Sequence, residues 1–282
     1  MIRARTVVAI LAASALAGPV QAATAPTPPT RIISLSPTAT EDLFAINAGK
    51  QVIAVDDQST FPKAAPRTKL SGFKPNVEAI ARYRPDLVVI ANDTGKLAAQ
   101  LTKLKIRVLV QPAATDLAQV YAEITQLGVA TGHRPKAGKL VASMKSRIAT
   151  IVASLPTRTT PLTYYHELDP TFYSVTSSTF IGKIYSLFGL KNIADDAQGA
   201  DSGYPQLSSE AIVAKNPSLI FLADTKCCQI NAAAVAARPG WSNVAAVQNG
   251  GVVELDDDIA SRWGPRVVAF IKTVADRVAG VK

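Results

Sequence analysis

The chain has 282 residues, two cysteines and a formal net charge of +9, and 48% of its residues are hydrophobic. Its lysines and arginines are scattered, and no cluster of them alternates with aromatic residues, which argues against a nucleic-acid-binding surface. The charge instead indicates a solvated basic surface, with acidic solutes or anionic surfaces as alternative partners.

The first 22 residues have the order of a secretory signal peptide. Arg3 and Arg5 give a short basic start, residues 7–20 form an apolar run, and Val20-Gln21-Ala22 is a small-residue cleavage site. A membrane span needs about 20 apolar residues, so this run is short for one, and an uncleaved anchor is the alternative. We therefore predict export with cleavage after residue 22. No cysteine lies near the cut to carry a lipid anchor.

The next part of the chain, residues 23–30, reads ATAPTPPT and predicts an extended, proline-rich linker. Residues 31–131 then alternate between short apolar runs and helical patterns, which is typical of a parallel α/β lobe. Thr38 and Glu41 have the spacing of a helix capping box. Strands are predicted at 31–35, 52–55, 87–91 and 106–110, and helices after Thr38 up to Gly49, after Asn76 up to Pro85, at 96–104 and at 116–130.

A second lobe is predicted over residues 157–282, after a connecting helix at 132–156 whose apolar residues recur at steps of three and four. Pro156 closes that helix. Strands are predicted at 162–166, 172–175, 219–223 and 251–255, and helices at 179–188, after Ser208 up to Pro217, and at 265–278.

One unit of the chain occurs twice. EAIARYRPDLVVIAND at residues 78–93 and EAIVAKNPSLIFLADT at 210–225 align without a gap, each as a helix, a proline and a buried strand. The predicted fold is therefore α/β: two similar Rossmann-like lobes with mainly parallel sheets, joined by one long helix.

The sequence carries no nucleophile elbow and no phosphate loop, and its two histidines are far apart, so neither a catalytic motif, a cofactor nor a protein-held metal is expected. Ligands of α/β sheets bind beyond the carboxyl ends of strands. Aromatic, polar and cationic residues follow several predicted strands, and together they suit a large, flat, partly apolar ligand in a cleft between the lobes. Taken singly, each is also explained by packing. The candidates are Ser36, Pro37, Gln58, Phe73 and Asp93 in the first lobe, and Tyr165, His166, Phe172, Tyr204, Arg262 and Trp263 in the second.

The adjacent pair Cys227-Cys228 contains the only cysteines. The pair fits a vicinal disulfide, two buried thiols or an exposed redox pair, and we favour the disulfide because exported thiols tend to pair. An exported thiol redox or metal-handling protein is accordingly the alternative to a binding protein.

Four motifs together carry a family resemblance. RIISLSPTATEDLFAI, the D-x-x-S-x-F-P at residues 56–62, the two E-A-I repeats and DDDIASRWGPR resemble the periplasmic-binding proteins for vitamin B12 and ferric chelates. The resemblance implies a non-enzymatic, monomeric receptor that delivers a chelate to a dimeric ABC permease. It also implies that Glu78 and Glu210, one on each lobe, dock onto permease arginines. The other explanation of these glutamates is that a carboxylate in the first turn favours the helix dipole.

The resemblance indicates the fold more firmly than it indicates the ligand. Tyr204 and Phe172 match positions that stack on the corrinoid in the B12-binding relatives, but the matching tryptophan positions of the first lobe hold Gly72 and Asn92 or Asp93. Arg262 matches a ligand-contacting arginine and suits a carboxylate, and a tyrosine such as Tyr165 suits haem iron. We expect a ferric siderophore first, then a corrinoid, then haem. The missing lipid-anchor cysteine favours a periplasmic location.

Overall fold

The computed structural model describes residues 27–156 and 159–281. The predicted signal peptide lies outside these residues, as does the first half of the linker. The rest of the linker contacts the first lobe: Thr30 donates its backbone N–H to Asp86 Oδ2 at 2.7 Å, and Gln51 donates to the carbonyl of Pro29 at 2.7 Å. No helix of the described residues is long and apolar enough to cross a membrane.

The elements of the first lobe are β1 (Ile32–Leu35), α1 (Pro37–Ala45), β2 (Val52–Val55), α2 (Val77–Arg82), β3 (Leu87–Ile90), α3 (Leu97–Lys103), β4 (Arg107–Val110) and α4 (Leu117–Thr131). The strands form a parallel sheet with strand order β2-β1-β3-β4. β3 has the sequence LVVI and is buried along its whole length, as expected of a parallel strand that helices cover on both faces.

The connecting helix is α5 (Arg134–Ala153), shorter by two or three residues at each end than predicted. The elements of the second lobe are β5 (Thr163–Glu167), α6 (Phe180–Ser186), β6 (Lys191–Asn192), α7 (Ser209–Lys215), β7 (Leu219–Leu222), α8 (Ala232–Ala236), α9 (Ala245–Gln248), β8 (Val252–Glu254), α10 (Asp257–Ala260) and α11 (Val267–Gly280). Its parallel sheet has the order β6-β5-β7-β8 and repeats the topology of the first lobe. The predicted α/β fold of two similar lobes is confirmed.

Two local predictions were wrong. The side chain of Ser36, not that of Thr38, caps α1 by accepting from the backbone N–H of Ala39, because Pro37 occupies the first helical position. Glu41 therefore has no capping role in α1. Residues 172–175 form no strand: Phe172 has a left-handed backbone with φ 69°, and only one isolated bridge, Tyr173 to Gln206, is made there.

The hydrophobic core continues from one lobe to the other. A single cluster of buried side chains includes Ile32 and Val89 of the first sheet, Met144 of α5, and Tyr164 and Phe221 of the second sheet. The outer face of each sheet packs separately under its own helices. The connecting helix therefore fixes the two lobes through shared apolar burial as well as through the covalent chain.

Candidate functional site

A cavity of about 450 Å³ lies between the lobes, where the segments that follow β4 and β5 approach each other. Its size is within the range of small-molecule sites, about 300–1,000 Å³. The residues that line it are 113–115 of the first lobe and Leu168, 178–181, 201–204, Ser261 and Trp263 of the second.

The lining is aromatic and hydroxyl-rich. Trp263 packs edge-to-face on Phe180, with ring centroids 6.4 Å apart, and Tyr204 is 50% exposed at the opening. Hydroxyl groups come from serines and threonines on four separate segments of the lining. The lining contains one carboxylate, Asp201, and no lysine, arginine or histidine. Such a surface suits a flat apolar face with uncharged hydrogen-bonding edges.

An ion-pair cluster bridges the two lobes beside this cavity. We define the interlobe ion-pair cluster as Glu41 of α1, Asp258 of α10, and Arg262 and Arg266 of the segment before α11. Arg266 binds Glu41 in a bidentate manner, with Nε to Oε2 at 2.8 Å and Nη2 to Oε1 at 2.6 Å. Arg262 reaches Asp258 at 2.7 Å and Glu41 at 3.4 Å. It also donates to the carbonyl of Gln58 at 3.0 Å.

The structure places two predicted ligand residues, Tyr165 and His166, in the core. Both are fully buried, because β5 is an inner strand with both faces covered. His166 Nδ1 lies 2.7 Å from Tyr185 Oη, and burial lowers the pKa of His166 to about 3. Burial also raises the pKa of Tyr165 well above its usual value, which opposes the phenolate form that ligates iron. Both residues are therefore removed from the candidate site.

Phe172 also lies away from the cavity lining. Its ring stacks on Trp241 with centroids 5.8 Å apart, and the Arg238 guanidinium lies 5.2 Å from its centroid. Arg238 in turn pairs with buried Glu167 through two hydrogen bonds of 2.6 and 2.7 Å. The aromatic ring thus covers a buried ion pair within the second lobe.

None of the five first-lobe candidates lines the cavity. Ser36 is the buried N-cap of α1, and Pro37 follows it as the first helical residue. Exposed Asp93 accepts from the backbone N–H of Ala98 at 2.7 Å. Gln58 joins the interlobe contact through its carbonyl, and Phe73 is 77% exposed in a surface hollow beside Glu78. The structure brings together only Tyr204, Trp263, Arg262 and Gln58 of the predicted set, at or next to the cavity.

Sequence reasoning missed the residues that build most of the lining. The hydroxyl-rich stretch 176–179 precedes α6, and nothing in its local pattern marks it as a binding segment. Glu41 and Arg266 were missed because their partner groups lie in the other lobe.

The two repeated glutamates occupy equivalent places. Glu78 lies in the first turn of α2 and Glu210 in the first turn of α7, and both are exposed. Asn76 and Ser208 cap these helices by accepting from backbone N–H groups at 2.8 and 3.1 Å. Neither glutamate makes a salt bridge within the described ranges 27–156 and 159–281, so both carboxylates are available to a partner.

The adjacent cysteines form a disulfide in the structure. Asp257 at the start of α10 holds their loop by accepting from the backbone N–H groups of Thr225, Lys226 and Cys227 at 2.9–3.0 Å. Neither sulfur is a free thiol.

Two parallel α/β lobes joined by a long helix, with a cavity between them, are the architecture of a two-lobed binding protein. Residues 32–259 match the sequence profile of the family described as periplasmic binding protein. The chain belongs to this family.

Named relatives cover most of the chain. It is 32% identical over 259 residues to an uncharacterized ABC transporter substrate-binding lipoprotein of Bacillus subtilis, covering 89% of this chain and 80% of that one. It is 31% identical to a cobalamin-binding protein of Halobacterium salinarum, covering 88% and 69%. Because the Bacillus relative is named a lipoprotein, the absence of a lipid anchor here stays a prediction.

Solved structures confirm the fold. The periplasmic haem-binding protein of Vibrio cholerae superposes with a TM-score of 0.77 at 22% identity, over 88% of this chain and 98% of that one. A possible iron-binding periplasmic solute-binding protein of Staphylococcus epidermidis gives 0.76 at 24% identity, over 89% and 99%.

Proposed function

We propose that the protein is the extracytoplasmic substrate-binding protein of an ABC importer, and that it captures a metal chelate between its lobes. The family match supports a binding protein, and the name of the Bacillus relative supports the ABC importer. The signal-peptide pattern favours a periplasmic location. The thiol redox alternative loses support because Cys227 and Cys228 are joined to each other.

Within that class we propose a corrinoid as the ligand. The observation that carries this choice is the composition of the cavity lining, which is aromatic and hydroxyl-rich and has no basic side chain. Ferric citrate and haem carry carboxylates that call for a cation, whereas the amide edge of a corrinoid is uncharged. The siderophore expectation depended on Arg262 as an anion anchor, and the guanidinium of Arg262 is already bound by carboxylates. The relative named for cobalamin gives independent support.

The corrin face would lie against Tyr204 and Trp263. The hydroxyls of Ser202 and Ser261 donate to protein carbonyls, so they would accept from amide N–H groups of the ligand edge. A space of about 450 Å³ holds only part of so large a ligand, so the remainder would extend into solvent beside Tyr204.

Isothermal titration of the purified mature protein with cyanocobalamin, haemin and ferric citrate tests the choice of ligand. We expect one-to-one binding of cyanocobalamin and weaker binding of the other two. Tyr204→Ala should weaken cyanocobalamin binding about tenfold, because an aromatic contact is lost from a site without charged anchors.

Tyr173→Ala is the matched control, since Tyr173 is 41% exposed in the same lobe and lies outside the lining. It should bind like the wild type. Preference for haemin or ferric citrate in the wild type would overturn the corrinoid proposal, and binding of none of the three would count against the whole class of ligand.

We further propose that Glu78 and Glu210 dock the monomeric receptor onto a two-fold symmetric permease. The support for this proposal is the repeated placement of the two glutamates. Each lobe has one exposed carboxylate without a salt bridge among the described residues, at the same point of the same helix–strand unit.

A further inference from the structure

Glu41 is the buried centre of the interlobe ion-pair cluster. Its side chain is only 1% exposed, and its carboxylate accepts from both Arg262 and Arg266, which belong to the other lobe. A carboxylate removed from water in this way is retained only with close partners, and loss of one partner leaves an uncompensated buried charge.

Arg262 lies between the cavity and this carboxylate. Its chain neighbours Ser261 and Trp263 both line the cavity, but its own side chain is not part of the lining and is 12% exposed. Its guanidinium contacts Glu41, Asp258, the carbonyl of Gln58, and Thr60 Oγ1 at 3.4 Å. Protein groups thus occupy the donors that would otherwise face a ligand.

The surrounding charges leave Glu41 as the main counter-charge from the first lobe. Asp42 is buried beside it, and burial together with the carboxylates of Glu41 and Glu123 raises the pKa of Asp42 well above its usual value, which favours the neutral form. From the second lobe, Asp258 is shared with Lys226, which also pairs with Asp256 at 2.6 Å. Lys183 Nζ donates to the carbonyl of Thr115 at 2.9 Å.

We infer that Glu41 is a specificity-determining residue that makes the cleft reject anionic chelates. Glu41 and Asp258 together offset the charges of Arg262 and Arg266. Glu41 thereby helps to keep Arg262 from anchoring a ligand carboxylate. Glu41 acts through the arginines and needs no contact with the ligand. The inference rests on the proposed function and deepens it, because it assigns the charge selectivity of the same cleft.

The test compares affinities for cyanocobalamin and for ferric citrate. Glu41→Gln should raise the ferric citrate to cyanocobalamin affinity ratio about five- to tenfold, as expected for removal of one partly screened charge near the cavity. Glu41→Asp keeps the charge and should keep the wild-type ratio. Arg262→Gln combined with Glu41→Gln should abolish the gain.

The matched control is Glu167→Gln, which removes one carboxylate from the similarly buried, bidentate pair with Arg238 inside the second lobe. It should destabilise the fold without changing the affinity ratio. If Glu41→Gln does not fold, Glu41→Gln with Arg266→Gln removes one charge of each sign and still frees Arg262 from Glu41.

An unchanged ratio in Glu41→Gln, or a gain that survives the loss of Arg262, overturns the inference. Failure of the proposed function is distinguishable, because it appears as a wild type that binds neither chelate. In that case the thermal shift caused by citrate alone tests the role of Glu41. Citrate should stabilise Glu41→Gln but neither the wild type nor Glu41→Gln/Arg262→Gln. Equal shifts in all three proteins would refute the role of Glu41.

Discussion

Buried titratable side chains collect at the carboxyl end of the second sheet. Asp224 lies two residues after the end of β7, is fully buried, and has its carboxylate beside that of Glu167. Burial and the neighbouring carboxylate of Glu167 raise the pKa of Asp224 from its ordinary value of 3.8 to about 7. Arg238 is bound to Glu167, so it offsets the negative charge of Asp224 only in part.

Asp224→Asn is therefore expected to stabilise the protein above pH 7. Because the folded pKa exceeds the unfolded value, the folded state binds more protons between pH 3.8 and about 7, and the free energy of unfolding falls as the pH rises through that window. The substitution should remove this loss and add about 1–3 kcal/mol at pH 8, with little gain at pH 4.

Urea unfolding at pH 4 and pH 8 measures both differences. Asp276→Asn, at an exposed carboxylate paired with Lys272, is the control and should show no comparable gain at pH 8. A pH-independent effect of Asp224→Asn would contradict the assigned ionisation.

The repeated helix–strand unit combines a structural role with an exposed one. In both copies a side-chain cap begins the helix and the following strand is buried over all four residues. The glutamates follow the caps at a distance of two positions, on the solvent side, where they favour the helix dipole weakly. In each turn, therefore, the capping residue stabilises the helix and the glutamate is available to a partner.

Variants of these two turns separate the roles. Asn76→Ala and Ser208→Ala should each lower the free energy of unfolding by about 1 kcal/mol, because a backbone N–H loses its acceptor. Glu78→Ala and Glu210→Ala should each lower it by only about 0.3 kcal/mol, and less at high salt. Urea titrations at 0.05 and 0.5 M NaCl provide the measurement, and salt-independent losses of 1 kcal/mol for the glutamates would show that they are structural.

At the scale of the whole molecule, one shared hydrophobic core joins the two lobes, although each lobe has its own copy of the repeated unit. Met144 of α5 is buried in the cluster that contains side chains from both sheets. Met144→Ala should cost about 2–5 kcal/mol, and it should accelerate hydrogen exchange in both β3 and β7. Val129→Ala, at an exposed side chain of α4, is the control. Faster exchange in one lobe alone would show that the lobes unfold separately.

The docking proposal gives each lobe one contact with the permease. The double variant Glu78→Ala/Glu210→Ala should bind ligand like the wild type but reduce uptake about tenfold or more in cells that carry the cognate permease, because each lobe loses its charged contact. Asp196→Ala with Asp276→Ala removes two exposed carboxylates elsewhere and should leave uptake intact. Normal uptake by the glutamate variant would refute the docking proposal.

Local patterns predicted elements well where burial is uniform. The strands at 87–91 and 219–223 and the helix at 132–156 are confirmed within a few residues, since apolar runs and helical periodicity are set by neighbouring residues. The predicted strand at 172–175 is absent because Phe172 has a left-handed backbone. Its ring stacks on Trp241, a contact between distant parts of the chain that a local pattern does not specify.

The sequence by itself determined the two-lobed parallel α/β fold, the long connecting helix, and the exposed placement of Glu78 and Glu210. Only the tertiary structure decided that Tyr165 and His166 face the core, because they pack on Trp241 and Tyr185, which come later in the chain. It also decided the ion pairing of Glu41, whose partners Arg262 and Arg266 lie 221 and 225 positions away. No local pattern specifies a pairing at that separation, since it depends on how the lobes meet.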